Sequence, residues 1–437
     1  MGKISDHPLF NKPRLREWQE RIATWKEQET DFYFQSFDGI DGPELIVAGR
    51  RILNISSYGY LGLNGHPRIL RATREAVQTY GTGTFASFVS GGGLDLHQRL
   101  VAELAHHSRR DDAVLFTSGF ITNVATITAL VDRGDFVISD LLNHASLNDG
   151  CQRSGATARY YPHNNMAMLE KRLQQASQAI ATQADHAGRG ILVVCDGVFS
   201  MDGDVLNLPE VTRLCREYNA LLMVDEAHSM GVLGADGGGL EDYFGLDGAI
   251  DIKMGTLSKT IPSNGGYIAA NRDFTDILRY AAKGHLFSGA MSPGNAAAAL
   301  EAFRVLRDEG SQRRLTLLLN LERFRTMMQS RGFEVGQGIA PDHRGNPTPM
   351  PIVPVAINDE ERTLRLARYC RDNGLYVIPA AYPVVSKGKE RLRVSLTAAH
   401  SAGQVAEAVG ILTRGAAAVG LPLQRQEAEP ATRRKVA

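Results

Sequence analysis

The feature that most constrains the fold is an alternation of short apolar segments and helical segments from residue 66 to about residue 300. The apolar segments are rich in β-branched residues and end in polar ones: AVLFTSG (113–119), FVISD (136–140), ILVVCDG (191–197), LLMVDEAH (221–228) and IDIKMGTLSK (250–259). Segments with helical character separate them at 166–182, 208–219 and 272–283. This alternation predicts a mostly parallel sheet covered by helices, with the functional groups at the carboxyl ends of the strands.

The flanking regions have different patterns. Residues 13–30 have the apolar spacing of a helix, and residues 44–54 read as a short hairpin with a glycine turn. A long amphipathic stretch (294–332) is followed by a mixture of strand-like and helical segments, which predicts a smaller α+β domain. We therefore expect the following segments: an N-terminal helix and hairpin (1–62), a large α/β domain (63–300), a C-terminal α+β domain (301–424) and a disordered tail (425–437).

Composition excludes several classes of protein. Lysine plus arginine equals aspartate plus glutamate at 48 each, so no general electrostatic attraction to nucleic acid is expected. No apolar stretch is long enough to cross a membrane, and the N-terminus lacks the apolar core of a signal peptide. The four cysteines are scattered, which predicts neither a metal site nor a disulfide framework. A cytoplasmic location is expected.

Three segments carry polar residues whose chemistry fits together: TSGFITN (117–123), VDEAHSMGVLG (224–234) and GTLSKTIPSNGG (255–266). Taken singly, Asp225 is compatible with a helix cap and Lys259 with a surface lysine. Taken together, a carboxylate and a lysine at the ends of two strands can flank a pyridine ring. The carboxylate keeps the ring nitrogen protonated, and the lysine forms a Schiff base with the aldehyde.

A phosphate site is predicted beside them. Ser118, Gly119 and Phe120 stand at a strand-to-helix turn, where N–H groups and a hydroxyl can bind a phosphate. The inferred cofactor is pyridoxal 5'-phosphate. The run GTGTFA (81–86) resembles a dinucleotide-binding loop, but it follows no clean strand and we expect no nucleotide there.

At these residues the chain resembles the α-oxoamine synthase family of fold-type-I pyridoxal phosphate enzymes. The matching motifs occur in order along most of the chain: SSYGYLGL (56–63), DLLNHASLNDG (140–150), DGVFSMDGD (196–204), VDEAHSMGVLG, GTLSK and RLRVSLTAAH (391–400). The resemblance implies a large domain with a mostly parallel seven-stranded sheet and a smaller α+β C-terminal domain. It also implies a homodimer whose active sites lie at the subunit interface.

The resemblance also implies roles for individual residues. Lys259 matches the Schiff-base lysine and Asp225 the partner of the ring nitrogen. The remaining matches are His144 stacking on the ring, Ser200 and His228 bonding its hydroxyl, Thr256 binding the phosphate, and Arg393 gripping the substrate carboxylate. Arg391 competes with Arg393 for the last role because the two share a strand face. His144 and His228 are also candidates for polarising the acyl carbonyl.

The implied reaction is a decarboxylative condensation of an amino acid with an acyl thioester, carried by CoA or acyl-carrier protein, which gives an α-amino ketone. This sequence departs from the biotin and haem branches of the family at the substrate-pocket candidates Tyr58, Phe88 and Val89, at the phosphate candidate Ser288 and at Pro262, which replaces the glycine after the lysine motif. Phe88 and Val89 replace a cation and an amide, which suggests a less polar acyl chain or a differently placed amino acid. Ser288 stands in the segment that reaches a partner subunit's phosphate.

Tyr58 is similar to the residue in serine palmitoyltransferase-like members, so that type or a polyketide-associated member is favoured. Three alternatives stay open at this point. The chain could have 8-amino-7-oxononanoate synthase or 2-amino-3-ketobutyrate ligase activity. It could be another fold-type-I enzyme, an aminotransferase or a lyase. A catalytically silent partner subunit is disfavoured because Lys259, Asp225 and His144 are all present.

Overall fold

The computed structural model describes residues 7–27, 34–182 and 188–424. Its strands are β1 Gly39–Asp41, β2 Glu44–Val47, β3 Arg50–Asn54, β4 Asp112–Phe116, β5 Phe136–Asp140, β6 Thr157–Tyr161, β7 Ile191–Asp196, β8 Leu221–Asp225, β9 Ile252–Thr256, β10 Gly266–Ala270, β11 Ile339–Pro341, β12 Pro347–Pro349, β13 Val353–Ala356, β14 Leu375–Tyr376, β15 Ile378–Ala380 and β16 Arg391–Val394. Its α-helices are α1 Pro13–Glu27, α2 Pro67–Tyr80, α3 Asp95–Ser108, α4 Gly119–Leu130, α5 Ala145–Arg153, α6 Met166–Ala181, α7 Leu208–Glu217, α8 Leu240–Phe244, α9 Arg272–Ala281, α10 Lys283–Leu286, α11 Pro293–Gln329, α12 Glu360–Asp372 and α13 Ala402–Ala418.

A seven-stranded sheet forms the centre of the large domain, in the order β4-β10-β9-β8-β7-β5-β6. The pairs from β9 through β8, β7 and β5 to β6 are parallel, and β10 runs antiparallel to both of its neighbours. The expected mostly parallel α/β sheet is therefore confirmed. Because parallel strands end at the same edge, Asp196 and Asp225 lie side by side as register partners.

Both faces of this sheet are buried, which explains the continuous apolar runs in the sequence. Successive strand residues point to opposite faces. Leu115, Val193 and Leu222 belong to one core, while Val114, Val194 and Met223 belong to a second core on the other face. The helices that connect the strands cover both faces, so only the strand ends and their loops remain to form a site.

The N-terminal hairpin belongs spatially to the C-terminal part of the chain. β2 and β3 pair antiparallel, and β14 adds to β3 in parallel register. A second small sheet, in the order β13-β16-β15, carries the RLRV segment. The small domain is therefore built from both ends of the chain.

One helix runs across the predicted boundary between residues 300 and 301. α11 begins at Pro293 after the cap Ser292, whose hydroxyl accepts a hydrogen bond from Asn295 N, and it continues without a break to Gln329. The division at residue 300 thus falls inside a helix, and the domain limits stay predictions. The tail predicted to be disordered (425–437) lies outside the described residues.

None of the helices in the described ranges combines the length and apolar character needed to cross a bilayer. The cytoplasmic location expected from the sequence stays a prediction.

Candidate active site

A cavity of about 210 Å³ opens at the carboxyl edge of the central sheet. Nine of the residues predicted to form the site line it, namely Ser118, Gly119, Phe120, His144, Ser200, Asp225, His228, Thr256 and Lys259. They come from the ends of β4, β5, β7, β8 and β9 or from the loops that follow those strands. Residues far apart in the sequence meet here because parallel strands end together.

Asp225 is the buried carboxylate at the end of β8. Its Oδ2 accepts a hydrogen bond from Asn123 Nδ2 at 2.7 Å, and its Oδ1 accepts one from Ala227 N at 2.9 Å. Asn123 lies one turn into α4 and also donates to Ser146 Oγ at 2.8 Å. These bonds fix the carboxylate in one orientation at the floor of the cavity.

His144 is fixed by the same network. Nδ1 of His144 accepts a hydrogen bond from Ser146 N at 3.3 Å, and Ser146 Oγ, which accepts from Asn123, lies 2.7 Å from the same nitrogen. The imidazole therefore carries its own hydrogen on Nε2. The backbone N of His144 donates to Asp196 Oδ2 at 2.8 Å, and burial lowers the pKa of the ring. The result is a neutral, oriented imidazole, as a ring that stacks on an aromatic cofactor requires.

Lys259 lies in the loop after β9, opposite His228. Its Nζ is 2.7 Å from His228 Nε2. Burial lowers the pKa of Lys259 to about 8, although Asp225 and Asp196 act in the opposite direction. Burial lowers the pKa of His228 well below its ordinary value, and the neighbouring cations Lys259 and Arg393 lower it further. Near neutral pH, the neutral, nucleophilic amine is therefore a far larger share of Lys259 than of an ordinary lysine.

The opposite end of the cavity suits a phosphate. Ser118 caps α4, and the first residues of that helix, Gly119 and Phe120, line the cavity together with Thr256. A Cβ at Gly119 would lie 3.0 Å from Thr256 Oγ1, which is tighter than most such contacts, so a side chain here would press against Thr256. Thr256 Oγ1 lies 3.0 Å from Ser258 Oγ, which adds a second hydroxyl. The residues present fit pyridoxal phosphate, with its ring near Asp225 and its phosphate at α4.

Arg393 and Arg391, which the sequence could not separate, have different surroundings. Arg393 is 2% exposed; its Nε donates to the carbonyl of Ser200 at 2.7 Å and its Nη1 to Ser395 Oγ at 3.0 Å. Its Nη2 is buried without a hydrogen-bond partner among the described residues. Arg391 instead forms an ion pair with Asp202. Only Arg393 thus keeps a buried N–H group available for a carboxylate.

The loop from Phe199 to Asp204 carries Ser200 and is anchored at Gly203 and at Asp204. Gly203 has φ 73° and packs so closely that a Cβ would lie 2.3 Å from the carbonyl oxygen of Ile352. His163 links the loop to the sheet, since its Nδ1 lies 3.2 Å from Asp140 and its Nε2 contacts Asp204. Burial alone lowers the pKa of His163, but the two carboxylates outweigh it and raise the pKa to about 10.

This histidine predicts a pH-dependent contribution to stability. The folded pKa lies above the unfolded value of about 6.5, so the stabilisation is complete below pH 6.5 and is lost as the pH rises through about 10. We expect His163→Gln to lower Tm at pH 6, and the difference from the wild type to shrink steadily toward pH 10. Thermal unfolding of both proteins at several pH values measures it. A difference that grows with pH would contradict the assignment.

Besides Arg393, which contacts the lining residue Ser200, four predicted site residues lie outside the cavity. Tyr58 lines an adjoining groove of about 400 Å³ that also reaches Lys259. Phe88 stacks on His285 with ring centroids 4.8 Å apart, and Val89 is exposed. Ser288 follows α10 in a segment that pairs with the chain around Ser87. Phe88, Val89 and Ser288 thus do not line this cavity within one described chain, and their roles in a substrate pocket and a phosphate site stay predictions.

Sequence reasoning missed several residues at the site. Asp196 is buried at the end of β7, and burial and the neighbouring Asp225 raise its pKa well above the usual range. It ends a predicted strand in the same way as Asp225, so the strand-end rule could have identified it. Asn123 and Ser146 orient other side chains, and no pattern in the sequence distinguishes them from ordinary helix residues.

Comparisons with known proteins agree with this arrangement. Residues 50–412 match the family model described as aminotransferase class I and II. The 8-amino-7-oxononanoate synthase of Thermoanaerobacter pseudethanolicus is 38% identical over 360 residues, which cover 82% of this chain and 86% of that protein. The serine palmitoyltransferase of Bacteroides ovatus is 38% identical over 394 residues, which cover 89% and 94%.

Among solved structures, this chain is similar to serine palmitoyltransferase with pyridoxal phosphate as an internal aldimine. The TM-score is 0.85 at 28% identity, and the match covers 94% of this chain and 100% of that one. The similarity thus extends over both the large and the small sheets, and to relatives with two different enzyme names.

Proposed function

The chain belongs to the α-oxoamine synthases of the class I and II aminotransferase family, and from this membership we propose a serine palmitoyltransferase-like condensing enzyme with a weakly polar acyl donor. It is a pyridoxal phosphate-dependent acyltransferase, which joins an amino acid to an acyl thioester and releases carbon dioxide and free thiol. The proposal concerns the substrates and the roles of single residues. The observation that carries it is that Lys259 and Asp225 line one cavity and that the buried Arg393 donates to the carbonyl of Ser200, which lines the same cavity.

When bound, pyridoxal phosphate supplies an aldehyde for amines and an electron-withdrawing ring. In this proposal Lys259 would hold the aldehyde through its amine and would take a proton from the substrate Cα. Asp225 holds a proton at the ring nitrogen, and Asn123 and Ala227 N–H keep its carboxylate aimed there. His144 covers the ring, while Ser200 and His228 bind its hydroxyl. Ser118, Gly119, Phe120 and Thr256 surround the phosphate.

Arg393 is proposed to bind the carboxylate of the amino acid through its free Nη2. Arg393→Gln is expected to raise KM for the amino acid by about 10- to 100-fold, since a charge-assisted hydrogen bond contributes about 1.5–3 kcal/mol. Arg391→Gln, which breaks the pair with Asp202, should change this KM much less. Steady-state kinetics of both variants test the assignment. Equal increases of this KM in the two variants would contradict the assignment of the carboxylate to Arg393.

Tyr58 supports the serine palmitoyltransferase-like reading. Its ring lies 4.8 Å from the Arg393 guanidinium and 5.8 Å from Lys259 Nζ, so it borders the places proposed for both substrates. A phenol ring there presents an apolar surface where a short polar side chain would offer hydrogen bonds. The groove lined by Tyr58 and Lys259 is the proposed path of the acyl thioester.

Thiol release tests the proposed substrates. Glycine, alanine and serine are each combined with short and long acyl-CoA esters, and the free thiol is measured. The proposal expects fastest release with serine and a long acyl chain. Release with pimeloyl-CoA and alanine would instead support 8-amino-7-oxononanoate synthase activity, and release only from acyl-carrier protein would assign the carrier. Amino-group transfer without thiol release would refute the condensation.

We also propose a homodimer with shared active sites. Phe85 and Phe287 are 98% and 81% exposed, which is unusual for such large apolar side chains. Their segments are joined, because Ala290 N donates to the carbonyl of Ala86 at 2.9 Å. Ser288 follows Phe287 directly and is proposed to reach the phosphate bound by a second copy. Sedimentation equilibrium should give twice the monomer mass, and a monomer with full activity would refute this.

A further inference from the structure

Tyr60 is a buried tyrosine beside the site to which nothing above assigns a role. It lies in the SSYGYLGL segment after β3, and its side chain is completely buried. Its Oη is 2.6 Å from His228 Nδ1. On the other ring nitrogen, His228 Nε2 lies 2.7 Å from Lys259 Nζ. One imidazole thus connects the tyrosine with the lysine.

The direction of the hydrogen bond between Tyr60 and His228 follows from the surrounding groups. Burial raises the pKa of Tyr60 to about 12, so the phenol keeps its hydrogen, and Arg393, which lowers that pKa, lies close to the same oxygen. A guanidinium has only donors, so it can give a hydrogen to the phenol oxygen but cannot accept one. The phenol hydrogen therefore goes to Nδ1 of His228.

The protonation of His228 completes the argument. Its lowered pKa leaves the ring neutral, with one hydrogen for two nitrogens. Since Nδ1 accepts from Tyr60, that hydrogen is on Nε2. His228 then presents an N–H donor to the cavity, which suits an anionic oxygen or the lone pair of a neutral Lys259 amine. The other tautomer would present a lone pair, which repels an anionic oxygen.

We propose that Tyr60 is a positioning residue, which holds His228 as the Nε2–H tautomer so that the histidine donates a hydrogen bond into the cavity. The consequence for catalysis rests on the proposed function, in which His228 binds the hydroxyl oxygen of the cofactor ring. The tautomer itself does not depend on that function. The two claims can therefore fail separately.

Tyr60→Phe removes only the hydroxyl, and Tyr161→Phe is the matched control. Tyr161 is equally buried, and its hydroxyl lies 3.3 Å from Cys195 Sγ, away from the cavity. Tyr60→Phe is expected to lower kcat by roughly 10- to 100-fold, the usual effect of removing a group that orients a functional histidine. Tyr161→Phe should lower Tm without this loss of kcat.

The decisive measurement is ¹⁵N NMR of the holoenzyme labelled in histidine, with the His228 signals assigned by difference from His228→Gln. Wild type should show hydrogen on Nε2 and an accepting Nδ1, and Tyr60→Phe should show a growing share of the Nδ1–H form. Hydrogen on Nδ1 in the wild type would overturn the proposal, and so would an unchanged tautomer in Tyr60→Phe. If Tyr60→Phe does not fold, the wild-type spectrum decides alone. Absence of thiol release by wild type would refute the proposed function without changing this test.

Discussion

Lys259→Ala is expected to lower kcat by about 10⁴-fold, the upper range for losing a positioned proton-transfer group. Alanine also removes the amine that binds the aldehyde, so the purified variant should be colourless whereas wild type is yellow. The structure gives the reason for using this lysine: burial lowers its pKa to about 8, and Asp225 and Asp196 counteract only part of that shift. No other lysine lines the cavity, as far as the described residues show.

Lys171→Ala provides the control, since Lys171 is exposed on α6 far along the chain from the site. It should keep the colour and the activity of wild type. Borohydride reduction followed by peptide mapping should place the cofactor on Lys259 alone. A Lys259→Ala protein that still released thiol at the wild-type rate would show that the lysine is not part of the reaction.

The sheet could be predicted to a large extent because its strands are buried on both faces. Five of the seven strands have apolar runs that end in polar residues, and each was identified from that pattern. β6 and β10 were not identified individually. β6 is an edge strand with exposed Arg159, and β10 follows a glycine-rich run and runs antiparallel. Their positions depend on partners that are distant in the sequence.

The reactive residues could be predicted from the sequence, whereas the groups that orient them could not. Asp225 and Lys259 carry their chemistry in the side chain and stand at strand ends. Tyr60, by contrast, contacts His228, which lies 168 positions further along the chain. The choice between Arg391 and Arg393 also needed tertiary structure, since one faces Asp202 and the other the buried Ser200 carbonyl.

The N-terminal hairpin gives a further example. The hairpin itself was predicted from a glycine turn between two apolar runs. Its pairing with β14 joins residues more than three hundred positions apart, so the sequence placed it in a separate unit. The register Leu375↔Leu53 places the hairpin beside the C-terminal part of the described chain.

Asp225→Asn is expected to lower kcat by about 10²- to 10³-fold, the usual effect of losing one preorganised electrostatic group. An amide cannot stabilise a proton on the ring nitrogen as a carboxylate does. It also brings an NH₂ group against Asn123 Nδ2 or Ala227 N, both of which are donors. One of the two hydrogen bonds that orient residue 225 is therefore lost with the charge.

Two further experiments separate the loss of the negative charge at residue 225 from a general disturbance of the fold. Asp251→Asn changes a carboxylate that accepts from Leu222 N at 2.7 Å near the opposite end of β8, and it should leave kcat unchanged. Loading Asp225→Asn with a cofactor analogue methylated on the ring nitrogen, which carries a permanent positive charge, should restore part of the activity. If the analogue restored nothing while the variant folded and bound it normally, Asp225 would act through its hydrogen bonds rather than through its charge.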